Sequence, residues 1–418
     1  MGERDSDLAV GEPDESIMAE MSFDQAMALA RTHLQAKRLA DVEALCSRVL
    51  EQSPDEPEAL RLWGLAALYG GNLEKAEELL RRLIRVAPQH VDSHNNLSVA
   101  LWHQRRPKEA EAAARQALAL DPANLAAWNN LGNALQGQRR FEEAAEAYRK
   151  ILATDPKDAR AANNLGTALQ SLGQFQQAVE AHRRAIALQP GFANALTNLG
   201  VALNELGQFE EAIATHRRAL EFAPQSPQVH HNLSSVLLNL GRWSEAEAVC
   251  RQALALQPRY PKALCNLAAV LTRQYRYAEA ESTLRQVVSL EPHSGDALSR
   301  LGNLLMEQGR PEEAILLHRR AVELDSGNSL IHEKALLCEQ YIPGVTVARL
   351  AEAHAVWARH QVQTSALPRR SWPNSLDSER PLRLGFLSSD LGCYIHQFQQ
   401  FIFVQKLLNL WLQIANNK

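Results

Sequence analysis

Residues 159–192 read ARAANNLGTALQSLGQFQQAVEAHRRAIALQPGF, and the chain repeats this pattern every 34 residues. The unit contains two amphipathic helical segments, which Gly173 separates and Pro190 ends. A glycine just after a helix can take the left-handed conformation that ends it, and a proline cannot continue a helix. The period is marked by Pro54, Pro88, Pro122, Pro156, Pro190, Pro224, Pro258 and Pro292. A fixed period of this length predicts an array of one supersecondary unit.

Two positions of the unit hold small residues. The first position, in the first helix, is occupied by Gly132, Gly166, Gly200, Ser234, Ala268 and Gly302. The second, in the second helix, is always alanine: Ala76, Ala110, Ala144, Ala178, Ala212, Ala246, Ala280 and Ala314. Small side chains allow two helices to cross closely, and the seam between them is filled by Leu131, Leu165, Leu199, Leu233, Leu267 and Leu301.

The order of these features, L-G, then A, then A-L and P, resembles the tetratricopeptide repeat. The resemblance covers nine units over residues 23–328, of which residues 23–56 lack the glycine and the alanine, as a capping unit does. It implies an all-α fold, a right-handed superhelical solenoid with a long concave groove lined by the first helices. In such a fold, function resides on an extended surface.

Composition excludes several classes of protein. A net charge of −4 and a pI near 6.4 provide no basic surface for nucleic acid, and the period differs from the repeats of about 35 residues that read RNA. The five cysteines form no CxxC pair, which indicates reduced thiols and a cytoplasmic location. No apolar run is long enough for a membrane span. Residues 1–22 predict a disordered acidic leader without a signal-peptide core.

Asparagine recurs at one position of the first helix, just before the seam leucine. The six copies are Asn96, Asn130, Asn164, Asn198, Asn232 and Asn266. Asparagine is unfavourable inside a helix, so its recurrence needs a reason. An amide can pair with the N–H and C=O of a peptide bond, and rungs about 10 Å apart would meet an extended peptide every three residues. The alternative is that each asparagine merely bonds a neighbouring helix after duplication of the unit.

Histidine recurs in a second motif, HRRA, at His182, His216 and His318. Zinc ligands must lie about 2 Å from one ion, and histidines in successive repeats lie roughly 10 Å apart. We therefore expect packed histidines rather than a metal site, and we expect the arginines to form a solvated outer face. The sequence predicts neither a metal nor a cofactor.

After the array, residues 329–366 predict a helical bridge and residues 367–381 a Pro- and Ser-rich linker. The alternating apolar run from Leu382 to Asp390 predicts the first strand of an α/β domain, in which a functional loop follows the strand. Residues 382–418 are therefore expected to be the short, truncated start of an α/β domain, with an apolar tail.

Repeats, a helical bridge and the segment RPLRLGFLSSDLG together resemble the protein O-linked N-acetylglucosamine transferases, glycosyltransferase family 41. The resemblance implies transfer from UDP-N-acetylglucosamine to Ser or Thr, and an asparagine ladder that binds substrate peptides through their backbones. Two features depart from the family. Tyr394 stands where the family has an active-site histidine (His396 lies two residues later), and a two-domain catalytic half cannot fit into the residues that follow Asp390.

The sequence therefore predicts a protein–protein interaction scaffold that binds extended protein or peptide segments through the asparagine ladder. The alternative is the substrate-recognition part of an O-GlcNAc transferase whose catalytic domain is missing from this chain. We expect the chain as written to be inactive as an enzyme, with no catalytic residue. Arrays of this type also self-associate, so a homo-oligomer is a further expectation.

Overall fold

A computed structural model describes residues 21–364 of the 418-residue chain. The linker and the α/β start with its tail, predicted for residues 367–418, lie outside the described residues, as does most of the acidic leader. Within the described range, all regular secondary structure is helical, and it comprises twenty helices. The predicted all-α fold is confirmed for this part of the chain.

Eighteen of these helices form nine consecutive pairs. The pairs are α1 Phe23–Gln35 and α2 Leu39–Gln52, α3 Pro57–Tyr69 and α4 Leu73–Val86, α5 Val91–His103 and α6 Pro107–Leu120, α7 Leu125–Gly137 and α8 Phe141–Thr154, α9 Ala159–Ser171 and α10 Phe175–Leu188, α11 Ala193–Glu205 and α12 Phe209–Phe222, α13 Pro227–Asn239 and α14 Trp243–Leu256, α15 Pro261–Arg273 and α16 Tyr277–Leu290, and α17 Gly295–Glu307 and α18 Pro311–Leu324. Two further helices follow, α19 Ser329–Glu339 and α20 Val347–Thr364.

The chain divides into two compact units, one ending at Pro258 and the other beginning at Arg259. In each unit the two helices of a pair pack together, and a second helix packs on the first helix of the next pair, as α10 does on α11 and α16 on α17. First helices of neighbouring pairs also touch each other, as α9 and α11 do in the first unit. This stacking of pairs is the tetratricopeptide solenoid.

The helix–helix seam is built from the small residues of the repeat. Every alanine of the second position is fully buried, and Leu131, Leu199, Leu233 and Leu301 are buried beside them. Opposite the small residue of the first helix lies a side chain of the second helix whose size varies. In three repeats this side chain is an HRRA histidine, and all three histidines are fully buried, as expected for packed side chains.

The turn between the two helices of a pair needs a left-handed residue. Gly173, with φ +73°, supplies it after α9, and Arg139, with φ +62°, adopts the same conformation after α7. The glycine takes this conformation without a steric penalty, whereas the arginine carries a Cβ that disfavours it. The first helices then begin at capping side chains such as Asn124 and Asp158, whose oxygens accept a backbone N–H.

Candidate functional site

The six ladder asparagines all lie in first helices. Asn96, Asn130, Asn164, Asn198 and Asn232 lie in α5, α7, α9, α11 and α13 of the first unit, and Asn266 lies in α15 of the second. Each side chain is half-buried. The leucine that follows points into the seam and so fixes the rotation of the helix, which leaves the asparagine at the boundary between its own helix and the preceding first helix.

In the first unit, three of the five ladder asparagines form side-chain hydrogen bonds between repeats. Asn130 Nδ2 donates to Asn95 Oδ1 at 2.5 Å, and Asn164 Nδ2 donates to Asn129 Oδ1 at 3.1 Å. Asn198 Nδ2 donates to Asn163 Oδ1 at 3.1 Å. The acceptor in each case is the residue just before the ladder asparagine of the preceding repeat. The bond to a neighbouring helix, which was the alternative explanation for the ladder, is therefore present at these three positions.

These bonds leave part of each amide unused. Within the described part of the chain, Oδ1 of Asn130, Asn164 and Asn198 accepts no hydrogen bond. The amide nitrogens are used more fully, since Nδ2 of Asn198 also donates to Thr167 Oγ1 at 3.3 Å and Nδ2 of Asn130 also donates to the Asn95 backbone oxygen at 3.4 Å. A bond at the nitrogen end of a carboxamide fixes its orientation without consuming its acceptor. The bonds to the preceding repeat thus hold the three amides in a defined orientation and leave the acceptor oxygen of each for a ligand.

The ladder is different at its ends. Thr197 takes the place of the accepting asparagine in front of Asn232, and its hydroxyl donates to the backbone oxygen of Ala193. In front of Asn96 the same place is held by Arg61, which bonds to Glu58. Among described residues, neither Asn96 nor Asn232 has a side-chain hydrogen bond, so these two amides are not held in the same way.

Behind the ladder, buried aromatic side chains reach the polar residues of the first helices. His182 Nδ1 lies 3.1 Å from Asn163 Oδ1, and His182 Nε2 lies 3.0 Å from Gln170 Oε1. Gln170 Nε2 in turn donates to the backbone oxygen of Asn198 at 3.1 Å. One repeat earlier, the buried Tyr148 hydroxyl donates to Asn133 Oδ1 at 2.8 Å. Sequence analysis assigned His182 to packing alone and missed these contacts.

The first helices around these rungs carry few charges. Neither α7 nor α13 contains Asp, Glu, Lys or Arg, and α9 and α11 contain one charged residue each, Arg160 and Glu205. We call the surface formed by α7, α9, α11 and α13 the first-helix face. An almost uncharged polar surface provides hydrogen bonds but little electrostatic attraction, so it favours a partner segment of low charge.

The arginines of the HRRA motif are not simply solvated. Arg183 pairs with Glu211 at 2.6 Å and Arg217 pairs with Glu245 at 3.1 Å, and each pair joins the second helices of successive repeats. A signal for this arrangement was available in the sequence, since an arginine occupies this position in eight successive repeats: Arg81, Arg115, Arg149, Arg183, Arg217, Arg251, Arg285 and Arg319. These half-exposed pairs belong to the scaffold rather than to a site.

Thiol and metal chemistry find little support in the described residues. Cys46, Cys250, Cys265 and Cys338 are unpaired, and burial raises the pKa of Cys46 to about 12 and that of Cys250 to about 11, which disfavours the reactive thiolate. Among residues 21–364, no group of three or more His, Cys, Asp or Glu is placed to hold a metal ion. The same range contains no helix long and apolar enough to cross a membrane.

Comparison with protein families identifies the class. Residues 61–124 match the tetratricopeptide repeat, so the chain is a tetratricopeptide-repeat protein. Residues 121–336, slightly more than half of the chain, match the family described as the C-terminal domain of cilia and flagella-associated protein 70. The chain belongs to this family of tetratricopeptide-repeat domains. A comparison with curated proteins found no match.

Solved structures show the same fold. A tetratricopeptide repeat protein from Parabacteroides merdae ATCC 43184 is 19% identical, with a TM-score of 0.52 over 59% of this chain and 98% of that chain. The Cut9–Hcn1 hetero-tetramer of the APC/C is 14% identical, with a TM-score of 0.51 over 78% of this chain and 66% of that chain. At these identities the likeness extends to the fold alone.

The resemblance to O-GlcNAc transferases is not tested by these findings. It rests on the segment around Leu382–Asp390, which lies outside the described residues. The matched family models cover only the repeats. What is established is a helical-repeat scaffold of the kind that typically mediates protein–protein interaction.

Proposed function

We propose that the chain binds extended, uncharged segments of partner proteins along the first-helix face, with the ladder asparagines as clamps on the partner's backbone. The observation that carries this proposal is the orientation of Asn130, Asn164 and Asn198. Each amide is held by the preceding repeat through Nδ2 and keeps an unused acceptor oxygen. The N–H of a peptide group is the complementary donor.

The spacing of the repeats supports the same proposal. Packed helices lie about 8–10 Å apart, and an extended chain rises about 3.3 Å per residue, so successive rungs would contact every third peptide group. A segment of about twelve residues would span four rungs. Because such contacts involve the backbone, the partner's side chains would contribute little to recognition.

The low charge of the first-helix face agrees with this function. Almost no charged side chain of α7, α9, α11 or α13 would be desolvated when a segment binds. The described cysteines are all reduced, which fits the cytoplasmic location that we propose for the chain. Protein segments, rather than nucleic acids, are the partners that this surface suits.

The test uses a fluorescein-labelled twelve-residue peptide selected from a random library on the wild-type chain. Its affinity is measured by fluorescence anisotropy. Substitution of Asn130, Asn164 and Asn198 together by alanine should weaken binding roughly 30-fold, since each lost hydrogen bond is worth about 0.5–1.5 kcal/mol. Unchanged affinity of the triple variant would refute the proposal.

A matched control comes from exposed amides on second helices. Substitution of Gln116, Gln176 and Gln177 by alanine removes three carboxamides outside the first-helix face, and it should leave affinity within a factor of two. Backbone recognition has its own readout. Methylation of single backbone nitrogens of the peptide should weaken binding several-fold at every third residue, since each removes one hydrogen bond, whereas an alanine scan of the same peptide should have small effects.

A further inference from the structure

Two buried aromatic side chains contact amide side chains of the first-helix face from behind, whereas the histidine at the equivalent position of the following repeat does not. Tyr148 and His182 make side-chain hydrogen bonds to first-helix amides. His216, in the equivalent position one repeat later, is equally buried, yet neither of its ring nitrogens has a hydrogen-bond partner among described residues. Tyr148 and His182 therefore provide this support from the repeats that contain Asn130 and Asn164, and His216 does not provide it from the repeat that contains Asn198.

His182 is connected to Asn198 by two chains of side-chain contacts. Through Nδ1 it contacts Asn163, whose Oδ1 is the acceptor for the Asn198 side chain. Through Nε2 it contacts Gln170, whose Nε2 bonds to the Asn198 backbone oxygen. Both routes from the imidazole end at Asn198. The ring itself is fully buried, so it cannot touch a ligand.

We infer that His182 is a positioning residue for peptide binding, which orients Asn163 and Gln170 and through them the amide of Asn198. This inference rests on the proposed function of the ladder. A neutral imidazole donates a hydrogen bond through one of its two ring nitrogens, so either tautomer fixes the side-chain amide of Asn163 or of Gln170. The planar ring occupies the space into which the remaining amide would have to rotate. Amides that are oriented before binding lose less entropy when a ligand arrives.

The contrast with Asn232 gives the inference its specificity. The residue in front of Asn232 is Thr197, whose hydroxyl is bonded to the backbone of its own helix, and the aromatic position behind it holds His216 with no polar partner. Asn232 therefore receives neither an inter-repeat bond nor support from behind. Among the rungs of the first unit, binding energy is concentrated at the three held asparagines and is lower at Asn232.

The experiment compares His182→Phe with His216→Phe. Phenylalanine preserves a planar aromatic ring of similar size and removes the ring nitrogens. His182→Phe should weaken binding of the selected peptide about tenfold, and His216→Phe should change it less than twofold. In an Asn198→Ala background His182→Phe should have no further effect, because its action passes through Asn198. Circular dichroism confirms that each variant remains helical.

A second variant protects the test if His182→Phe fails to fold. His182→Tyr copies the pair found one repeat earlier, where Tyr148 packs on Gly132, and its single hydroxyl cannot contact both Asn163 and Gln170. It should also weaken binding. Equal affinities of the His182 and His216 variants, or an undiminished effect of His182→Phe in the Asn198→Ala background, would overturn the inference. If the wild-type chain bound no peptide, or the triple asparagine variant bound normally, the proposed function itself would fail.

Discussion

The imidazole of His182 lies directly over Gly166, so that a methyl group added to the glycine would come within 2.5 Å of the ring. The same pairing of glycine with a large ring joins Gly200 to His216, and Gly132 to Tyr148. Where the second helix has the smaller Cys250, the first helix has Ser234, and the two side chains form a hydrogen bond. In these repeats the two positions compensate each other in size.

Because these two positions compensate each other in size, the result of exchanging the pair Gly200–His216 in α11 and α12 can be predicted. Gly200→Ser alone places a side chain against the ring of His216, whose nearest atom lies 2.5 Å from the position of the added Cβ. Because neither helix backbone can move freely, this overpacking should destabilise the chain by roughly 1–3 kcal/mol. Adding His216→Cys, which recreates the Ser234–Cys250 pair, should recover most of that loss. Urea denaturation followed by circular dichroism measures both variants.

The single variant His216→Cys serves as the control for this exchange. Alone it leaves a cavity over Gly200, so it should be less stable than the wild type. Size compensation requires the double variant to be more stable than the sum of the two single effects. Additive losses would show that the two positions are independent.

Buried histidines predict a dependence of stability on pH. Burial lowers the pKa of His182, His216 and His318 to about 4, from an ordinary value near 6.5. Below pH 6.5 the unfolded chain takes up protons that the folded chain does not, so stability decreases as the pH falls from about 6.5 to about 4. Each histidine should contribute a loss on the order of 3 kcal/mol over this window.

The variant His216→Phe isolates one of these contributions. It should be more stable than the wild type at pH 7, because the two unpartnered ring nitrogens are removed, and the advantage should grow at pH 5. Urea midpoints at the two pH values give the comparison. An advantage of equal size at both values would mean that His216 does not titrate between the folded and unfolded states.

The sequence predicted the repeat well, because its small positions have a purely steric cause. The positions of Gly166 and Ala178 hold small residues in most units, and the helices could be placed from them and from Pro190. The partner of Gly166 was harder to interpret. His182 falls at an aromatic position, and sequence spacing shows that it is buried, but the amides that its two nitrogens contact depend on side-chain geometry across three helices.

The site was predicted in part. Recurrence identified Asn130 and Asn198 as unusual, yet it could not distinguish a ligand contact from a bond to the next helix. The structure contains that bond and shows that it uses only one end of the amide. The difference between Asn198 and Asn232 depends on a single preceding residue, Asn163 or Thr197, whose role becomes visible only when neighbouring first helices are side by side.

The left-handed turn residue gives a prediction on local strain. Gly173 and Arg139 hold the same position in successive repeats, with φ +73° and +62°. Gly173→Ala should destabilise the chain by about 1 kcal/mol, since alanine disfavours this conformation. Arg139→Gly should be neutral or stabilising by up to about 1 kcal/mol, because the relief of strain is partly offset by the flexibility of glycine in the unfolded chain. Urea midpoints of both variants, at equal cooperativity, test the two signs. A destabilising Arg139→Gly would show that the arginine side chain contributes to the fold.

The ion pairs of Arg140 provide a test of how much such pairs between successive repeats contribute to stability. Its guanidinium bonds to Glu143 in its own helix α8 and to Glu111 of the preceding second helix α6, at 2.6 and 2.7 Å, and Glu111 is largely buried. One repeat later the equivalent of Arg140 is Gln174, and the equivalent of Glu111 is Ala145, so both members of the pair are absent there. Arg140→Gln should lower the melting temperature by a few degrees, because it leaves the Glu111 carboxylate with only the neutral Gln138 as a partner from the next repeat, and the difference should shrink in about 1 M salt. Gln174→Arg, which adds an arginine where no acidic partner exists, should not raise the melting temperature. If both substitutions had no effect, packing alone would hold the repeats together and the arginine–glutamate pairs would be only a solvated surface.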